Sequence, residues 1–241
     1  MEFDLPIKKL DYKKEYILSL GGSLIVPNGG PDIEFLQQFN RFIRKKATQG
    51  CRFFIVCGGG SITRSYQKAA EAVVGKQIAN EDMDWLGIHS TRLNAHMVRT
   101  IFKDIAYERI IKHYDIIDKK AIQPIVVCSG WRPGWSTDYD AVLLAQDYDI
   151  KRVINLSNIE MVYDKDPYKY KDAKPIKEMK WDDLISLVGK KWVPGLNRPF
   201  DPIASQLAKS IGLKVVICNG KNLDNFARIL EGKKFVGTVI E

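Results

Sequence analysis

Residues 52–66 read RFFIVCGGGSITRSY: a nearly unbroken apolar run, three glycines, then a stretch of helical character. A run without alternation is what a strand buried on both faces requires, so it belongs inside a parallel sheet covered by helices. The same order recurs at 16–23, YILSLGGS, and at 124–130, PIVVCSG, with a further glycine at 134. Shorter apolar runs at 152–156, 214–218 and 237–240 complete the expected strands. Between them lie helical patterns. One covers 32–49, with Ile33, Leu36, Phe39 and Ile43 on one face behind a Pro-Asp start. A second follows Gly60, with Tyr66, Ala69, Ala70 and Val73 expected inward, and a third spans about 82–103, with Leu86, Leu93, Met97 and Ile101 on one stripe. Later helices are expected over 138–146, 181–188, 201–211 and 222–230, while 107–120 fits neither period. Strands alternating with helices imply an α/β sandwich around a mainly parallel sheet.

Composition narrows the class without choosing a reaction. The chain has 241 residues, 45% hydrophobic and 27% charged, ordinary for a folded protein with a full core. One domain with two lobes is expected, and the Lys-, Tyr- and Asp-rich stretch 163–180 reads as a surface loop or hairpin. No apolar run approaches the ~20 residues that cross a bilayer. The opening MEFDLPIKKLDYKKEY has no apolar core for a secretory signal, so a cytosolic (cytoplasmic) location is expected. Cys51, Cys57, Cys128 and Cys218 lie in or beside apolar runs without a C-x-x-C pair, which reads as buried reduced thiols rather than disulfides. His89, His96 and His113 form no H-E-x-x-H, and no structural zinc site is expected. The formal charge of +8, from 37 Lys plus Arg against 29 Asp plus Glu, is scattered. Lysine pairs at 8–9, 13–14, 45–46, 119–120, 190–191 and 233–234 read as solvated faces. With no RNP-like or zinc-finger pattern, no nucleic-acid partner is expected; a small anionic substrate such as a nucleotide suits the surplus.

Gly21-Gly22-Ser23, Gly58-Gly59-Gly60 and Ser129-Gly130 through Gly134 each follow an expected strand. In an open α/β sheet, ligands bind beyond the carboxyl ends of the strands. Glycine there lets backbone N–H groups approach a phosphate, and a following helix N-terminus adds a favourable field. Tight turns also use glycine for geometry alone, but three clusters in one topological position favour phosphate binding. The Walker pattern G-x-x-x-x-G-K-[ST] is absent, GGGSIT lacks the last glycine of G-x-G-x-x-G, and protein-kinase signatures are missing. A different phosphate-handling α/β fold is required.

SLGGSLIVP (19–27), VCGGGSITRSY (56–66), DWLGIHSTRLNA (84–95), GWRPGWSTDYDAVLLA (130–145), SNIEMVYDKDP (157–167) and the closing GTVI together resemble the amino acid kinase family. Within it they are most similar to uridylate kinases of the archaeal type. The resemblance implies a three-layer α/β/α fold, with a phosphoryl-acceptor lobe over about 1–150 and an ATP-binding lobe over about 151–241. It implies ATP and UMP as substrates, Mg²⁺, and a homo-oligomer, with a hexamer favoured. By the same resemblance, Gly22 and Ser23 contact ATP phosphates, and Gly60 and Arg64 sit at the transferring end. Gly59 lies against UMP, Asp84 binds its ribose hydroxyls, and Trp131, Arg132, Pro133, Gly134, Trp135, Ser136 and Thr137 form the uridine segment. Ser157, Tyr163 and Asp166 fall at the ATP base and ribose, and DPIAS at 201–205 packs beneath the nucleotide half. Arg64, Asp138 and Glu160 are the catalytic candidates. No metal ligand is assigned, the ion being carried mainly by nucleotide phosphates.

The residues themselves leave alternatives beside these roles. Asp84 suits a sugar diol, since a carboxylate accepts two hydrogen bonds, and with Asp82 it also suits a helix start. Arg64 reads either as an anion contact or as an exposed helix arginine. Asp138 opens a helix and reads equally as a cap. Arg92 fits structural pairing or substrate contact. Trp131 and Trp135 fit a base pocket or a lobe or subunit contact, and Tyr163 fits adenine packing or loop anchoring.

Three departures from the family pattern stand out. Ser19 replaces the lysine that bacterial members carry, Ser61 stands where archaeal-type members commonly have GGGK, and Met161 replaces the glycine of D-G-V-Y. Phosphoryl transfer needs cations at the moving group, and Arg64, Arg132, Lys165 and Mg²⁺ are the available ones. The alternatives are a non-catalytic nucleotide- or oxyanion-binding member of the fold, or a kinase of another small carboxylate or phosphate.

Overall fold

The structure is a computed structural model that describes residues 12–75, 77–167, 169–189 and 198–241. In chain order the elements are β1 (Lys14–Leu20), α1 (Gly22–Ile25), α2 (Ile33–Thr48), β2 (Cys51–Cys57), α3 (Gly60–Val74), α4 (Asn80–Ile101), β3 (Ile125–Cys128) and α5 (Thr137–Asp147). There follow β4 (Arg152–Ser157), β5 (Val162–Tyr163), β6 (Pro175–Ile176), β7 (Glu178–Met179), α6 (Trp181–Val188), α7 (Pro202–Ser210), β8 (Lys214–Asn219), α8 (Leu223–Glu231) and β9 (Thr238–Ile240).

Seven strands form one sheet in the order β3-β2-β1-β4-β8-β9-β7. β1 runs parallel to β2 and β4, and β4 to β8, while β9 lies antiparallel to β8. Side-chain alternation divides each strand between two cores. Ile17, Phe54, Val126, Val153 and Val215 face one core, which α5, α6 and α7 close with Ala141, Leu144, Leu184 and Ala204. Leu18, Phe53, Ile55, Ile154 and Val216 face the other, closed by α2, α4 and α8 through Phe39, Ile43, Val98 and Phe226. The sandwich therefore has three layers, and coverage on both sides is why the strand sequences read as continuous apolar runs. From β1 the chain steps to β2 and β3 in one direction, then lays β4 on the other side of β1. The strand order reverses between β1 and β4, and such a switch point opens a crevice at the carboxyl ends of its strands.

Several expected faces are corrected by the packing. Ile33 is 68% exposed at the start of α2. On α3, Tyr66 is 62% and Val73 86% exposed, and the side chain held inward is Gln67, which donates to the Met83 carbonyl at 2.9 Å. α3 leans on α4 rather than lying on the sheet, so polar side chains meet its neighbour while its apolar row faces away. α4 docks on β2 and β3 with Ile88, Thr91, Ala95 and Val98, leaving Leu93 exposed. Residues 107–120 form no helix; the Tyr107 and Ile111 N–H groups donate to Ile125 and Val127 at 2.8 and 3.0 Å, laying this segment along β3. Lys46 is not solvated, because it is buried against Glu231 at 2.8 Å. The lysine pairs 8–9 and 190–191, and the opening residues 1–11, lie outside the described residues.

Residues 163–180 include the hairpin partner β6, which pairs Pro175 and Ile176 with Tyr163 and Val162 of β5. All four cysteines are free; Cys57, Cys128 and Cys218 are buried and Cys51 half-buried. Among the described residues no helix is long and apolar enough to cross a membrane.

Candidate active site

Two glycine turns meet at the carboxyl ends of β1 and β2. The Gly58 N–H donates to the Leu20 carbonyl at 2.9 Å, and the Gly21 N–H to the Leu156 carbonyl at 2.9 Å, so the turns continue the sheet. A Cβ on Gly22 would sit 2.7 Å from the carbonyl carbons of Gly58 and Gly59, closer than real side chains approach. Gly60 opens α3 with φ +73, which favours glycine. Neither α1 nor α3 has a side-chain cap, whereas Asp32, Ser136, Asp201 and Asn222 cap α2, α5, α7 and α8. In the fifteen-residue helix α3 the Ser61 N–H donates to the Val26 carbonyl at 2.9 Å, and the other first-turn N–H groups lie beside bare glycine backbone, a setting suited to an anion. Gly22, Ser23, Gly59 and Gly60 come together here as expected.

α4 holds these turns in place. Asn94 Nδ2 donates to the carbonyls of Gly58 and Gly59 at 2.8 and 3.0 Å, and Thr91 Oγ1 accepts from the Gly130 N–H at 2.9 Å. Neither residue was singled out from sequence. The available signal was a buried polar pair inside an otherwise amphipathic helix, since buried polar groups need partners.

Across β1, a second site is made of side chains. Ser19 of β1 and Asn155 of β4 are register partners, so they project on the same face. Ser19 Oγ and Asn155 Nδ2 both donate to Asp138 Oδ1, at 2.8 and 2.9 Å. Asp138 does not cap α5; Ser136 does, accepting from the Tyr139 N–H at 3.2 Å. Burial pushes the Asp138 carboxyl up to about 7, the Ser19 hydrogen bond opposes the rise, and the Asp201 charge adds to it. Asp140 is fully buried, and burial pushes its carboxyl well above the ordinary range, opposed by the Trp131 backbone N–H and the Arg132 charge and reinforced by the Asp138 and Asp201 charges. Asn155 was also missed by the sequence reading, although it interrupts an apolar strand.

The expected uridine segment is a packed aromatic turn joined to α4. Asp84 Oδ2 accepts from the Gly134 N–H at 2.7 Å, and the Arg92 guanidinium donates to the Trp131 carbonyl at 3.1 Å. Asp84 lies in the second turn of α4, so its partner is this loop rather than the helix start. Trp131 and Trp135 pack edge to face at 5.0 Å, Tyr139 lies 4.6 Å from Trp135, and the Arg132 guanidinium stacks 3.8 Å from the Trp135 ring centre. Pro133, Ser136 and Thr137 complete the turn into α5.

Ser157, Glu160, Tyr163 and Asp166 lie on the separate stretch that leaves β4. Glu160 Oε1 accepts from Asn219 Nδ2 at 2.7 Å, so it belongs with the end of β8 rather than with Asp138. Met161 is buried, and Asp149 is the only non-glycine residue with positive φ among those described, so the Met161 turn takes a path that tolerates a side chain. Of the candidate cations, Lys165 pairs with Asp172 at 2.6 Å and Arg132 is held by tryptophan rings. Arg64 is exposed on α3. Ser61 Oγ accepts from the Gly29 N–H at 2.7 Å, fastening the loop before α2. Among the described residues no group of three His, Cys, Asp or Glu side chains could hold a metal ion.

Comparison with known proteins agrees with this geometry. A family model described as the amino acid kinase family matches residues 14–219. The uridylate kinase of Methanobrevibacter smithii is 30% identical over 226 residues, 93% of this chain and 97% of that protein. The uridylate kinase of Thermoplasma volcanium is 33% identical over 228 residues, 93% and 96% of the two chains. The crystal structure of the uridylate kinase from Archaeoglobus fulgidus superposes with a TM-score of 0.79 at 28% identity, covering 94% of this chain and 99% of that one.

Proposed function

The chain belongs to the amino acid kinase family, and from that premise we propose that it transfers the γ-phosphoryl group of ATP to UMP, giving ADP and UDP. The observation that carries this reading is the crossing of two uncapped glycine turns beside the β1/β4 switch point. Backbone N–H groups there suit phosphate oxygens, and the Asp84 loop borders the same end of the sheet. An oxygen of the UMP phosphate attacks the γ-phosphorus in line. The new P–O bond forms as the bond to the β-phosphate oxygen breaks, and the electron pair leaves on ADP. An ionised phosphate is an adequate nucleophile, so no covalent enzyme intermediate is needed.

Gly22, Ser23 and Gly60 bind ATP phosphates, Arg64 neutralises the moving group, and Gly59, Asp84 and residues 131–137 receive UMP. Ser157, Tyr163 and Asp166 border the adenosine, Asp138 faces the transferring group, and Glu160 acts through Asn219 on the nucleotide side. Mg²⁺ would arrive with ATP and would supply charge neutralisation at its phosphates. With no acidic triad to cage it among the described residues, it enters as part of the ATP complex. In this reading residues 1–150 and 151–241 are the acceptor and ATP lobes of one cytoplasmic protein. The exposed apolar side chains Tyr66, Val73 and Leu93 suit assembly into a homo-hexamer.

Initial rates with ATP, Mg²⁺ and a panel of nucleoside monophosphates test the assignment. A turn matched to the uracil edge leaves polar groups unpaired against cytosine, at about 1–3 kcal/mol per partner, so kcat/KM for UMP should exceed that for CMP by roughly tenfold or more. Equal efficiency with CMP contradicts the uridine assignment.

A further inference from the structure

We propose that Thr91 and Asn94 are positioning residues for the acceptor nucleotide: neighbours on one face of α4, they set the spacing between the turn that meets its phosphate and the turn that meets its base. This rests on the phosphoryl-transfer reading above and assigns a role within it.

The sheet alone does not fix that spacing. β2 pairs with β3 only as far as Val56 and Cys128, and beyond them the two chains bond to opposite neighbours. The Gly58 N–H donates to the Leu20 carbonyl of β1, and the Ser129 N–H donates to the Ile111 carbonyl on the other side of β3. α4 packs against both strands and joins what they leave apart. Asn94 Nδ2 donates to the Gly58 and Gly59 carbonyls at 2.8 and 3.0 Å. One helical turn earlier, Thr91 Oγ1 donates to the Ile88 carbonyl at 2.7 Å and accepts from the Gly130 N–H at 2.9 Å. Three residues of helix rise ~4.5 Å, so one turn of α4 reaches across the ~4.8 Å between neighbouring strands.

Both side chains are buried, Thr91 at 7% and Asn94 at 2% exposure, so water does not compete for these bonds. The contacts are also tight. A Cβ on Gly130 would lie 2.9 Å from Thr91 Oγ1, and one on Gly59 would collide with the Thr63 hydroxyl. The same helix holds the rest of the second turn, through Arg92 to the Trp131 carbonyl and Asp84 to the Gly134 N–H. In the proposed transfer UMP spans from Gly59 to residues 131–137, so the distance between the turns is the length that its phosphate and base must match. Thr91 and Asn94 act through that backbone, not on the reacting atoms. A shift of about 1 Å takes the attacking oxygen out of line and costs roughly 10²-fold in rate.

The test is steady-state kinetics with ATP, Mg²⁺ and UMP for the parent, Thr91→Val, Thr91→Ser, Asn94→Ala and the Thr91→Val, Asn94→Ala double variant, with thermal melting of each. Hydrogen exchange of the Gly130 amide in the free protein reads the Thr91 bond directly. Thr91→Val keeps the shape of the side chain and removes the acceptor. It should lower kcat by roughly 10²-fold and leave the ATP KM within about twofold, while the Gly130 amide exchanges faster. Thr91→Ser restores the hydroxyl and should bring kcat back to within about threefold of the parent, with parent-like exchange. Asn94→Ala should lower kcat by a similar factor. The double variant should lose far less than the product of the two, because one misalignment already spoils the geometry. A merely structural role lowers melting and leaves kcat at the parent value, and that result overturns the proposal. So do equal losses in Thr91→Val and Thr91→Ser, losses that multiply in the double variant, and Gly130 exchange that ignores Thr91→Val. Should Asn94→Ala fail to fold, the Thr91 pair decides alone. A parent that does not phosphorylate UMP overturns the functional reading and the positioning role with it, whereas an active parent with unaffected variants overturns the positioning role only.

Discussion

β1 divides the site into two halves made of opposite materials. On its β2 side, Gly22, Gly58 and Gly60 approach so closely that no side chain fits, and α3 begins uncapped. On its β4 side, Ser19, Asn155 and Asp138 fill the space with side chains from three elements. Backbone N–H groups do not titrate, so the phosphate contacts proposed for the β2 half carry no pH dependence of their own. The β4 half holds a carboxyl, Asp138, that burial pushes up to about 7 against the Ser19 hydrogen bond. In the proposed transfer, the backbone half would meet the phosphates that both nucleotides share, and the side-chain half would border the group that moves.

The largest expected effect asks whether the backbone half needs an added cation. With Lys165 paired to Asp172 and Arg132 held by Trp131 and Trp135, Arg64 is the candidate left exposed beside the glycine turns. Arg64→Ala should lower kcat by about 10³ with a smaller change in the UMP KM, because an arginine at the shifting oxygens acts mainly in the transition state. Thermal melting should stay close to the parent, since surface changes rarely exceed about 0.5 kcal/mol. Turnover within about threefold of the parent would move the charge to Arg132 and leave the backbone half acting through N–H groups alone.

A smaller effect tests the close approach itself. Gly22→Ala puts a methyl group against the Gly58–Gly60 turn. The turns must separate, and a displacement of about 1 Å at a reacting site costs roughly 10²-fold in rate. Steady-state kinetics on the folded variant should show this loss for ATP and UMP together. A parent-like rate would mean that the two turns do not hold the phosphates.

The smallest effect lies outside both halves. Asp84 fastens the aromatic turn through the Gly134 N–H, and a carboxylate has further acceptor positions that suit the proposed ribose contact. Asp84→Asn should raise the UMP KM about tenfold, within the ~1–3 kcal/mol of a hydrogen bond to a charged group, and leave the ATP KM unchanged. Equal shifts for both nucleotides would reduce Asp84 to a loop anchor.

The two halves also differ in how openly the sequence displays them. Glycine clusters behind apolar runs are local signals, so the glycine turns of the β2 half and a mainly parallel α/β sandwich were legible, the three layers following from the family resemblance. The β4 half was not, because Ser19 meets Asp138 across 119 residues and Asn155 meets it across 17. Nothing in either neighbourhood announces the pairing beyond a polar residue inside a buried strand. Helical periodicity failed in a different way on α3. It correctly grouped Tyr66 and Val73 on one face, but period cannot say what that face meets, and among the described residues both side chains are exposed. Thr91 and Asn94 escaped notice for a related reason: their partners are backbone groups of distant glycine turns, which leave no side-chain signature.

The proposed transfer is tested most directly by where the γ-phosphate goes. Phosphorus NMR on the intact protein with ATP, Mg²⁺ and UMP follows every phosphate at once. The predicted result is equal growth of UDP and ADP, with no inorganic phosphate and no change when UMP is left out. Steady release of inorganic phosphate, or ATP that stays intact in the presence of UMP, would contradict it.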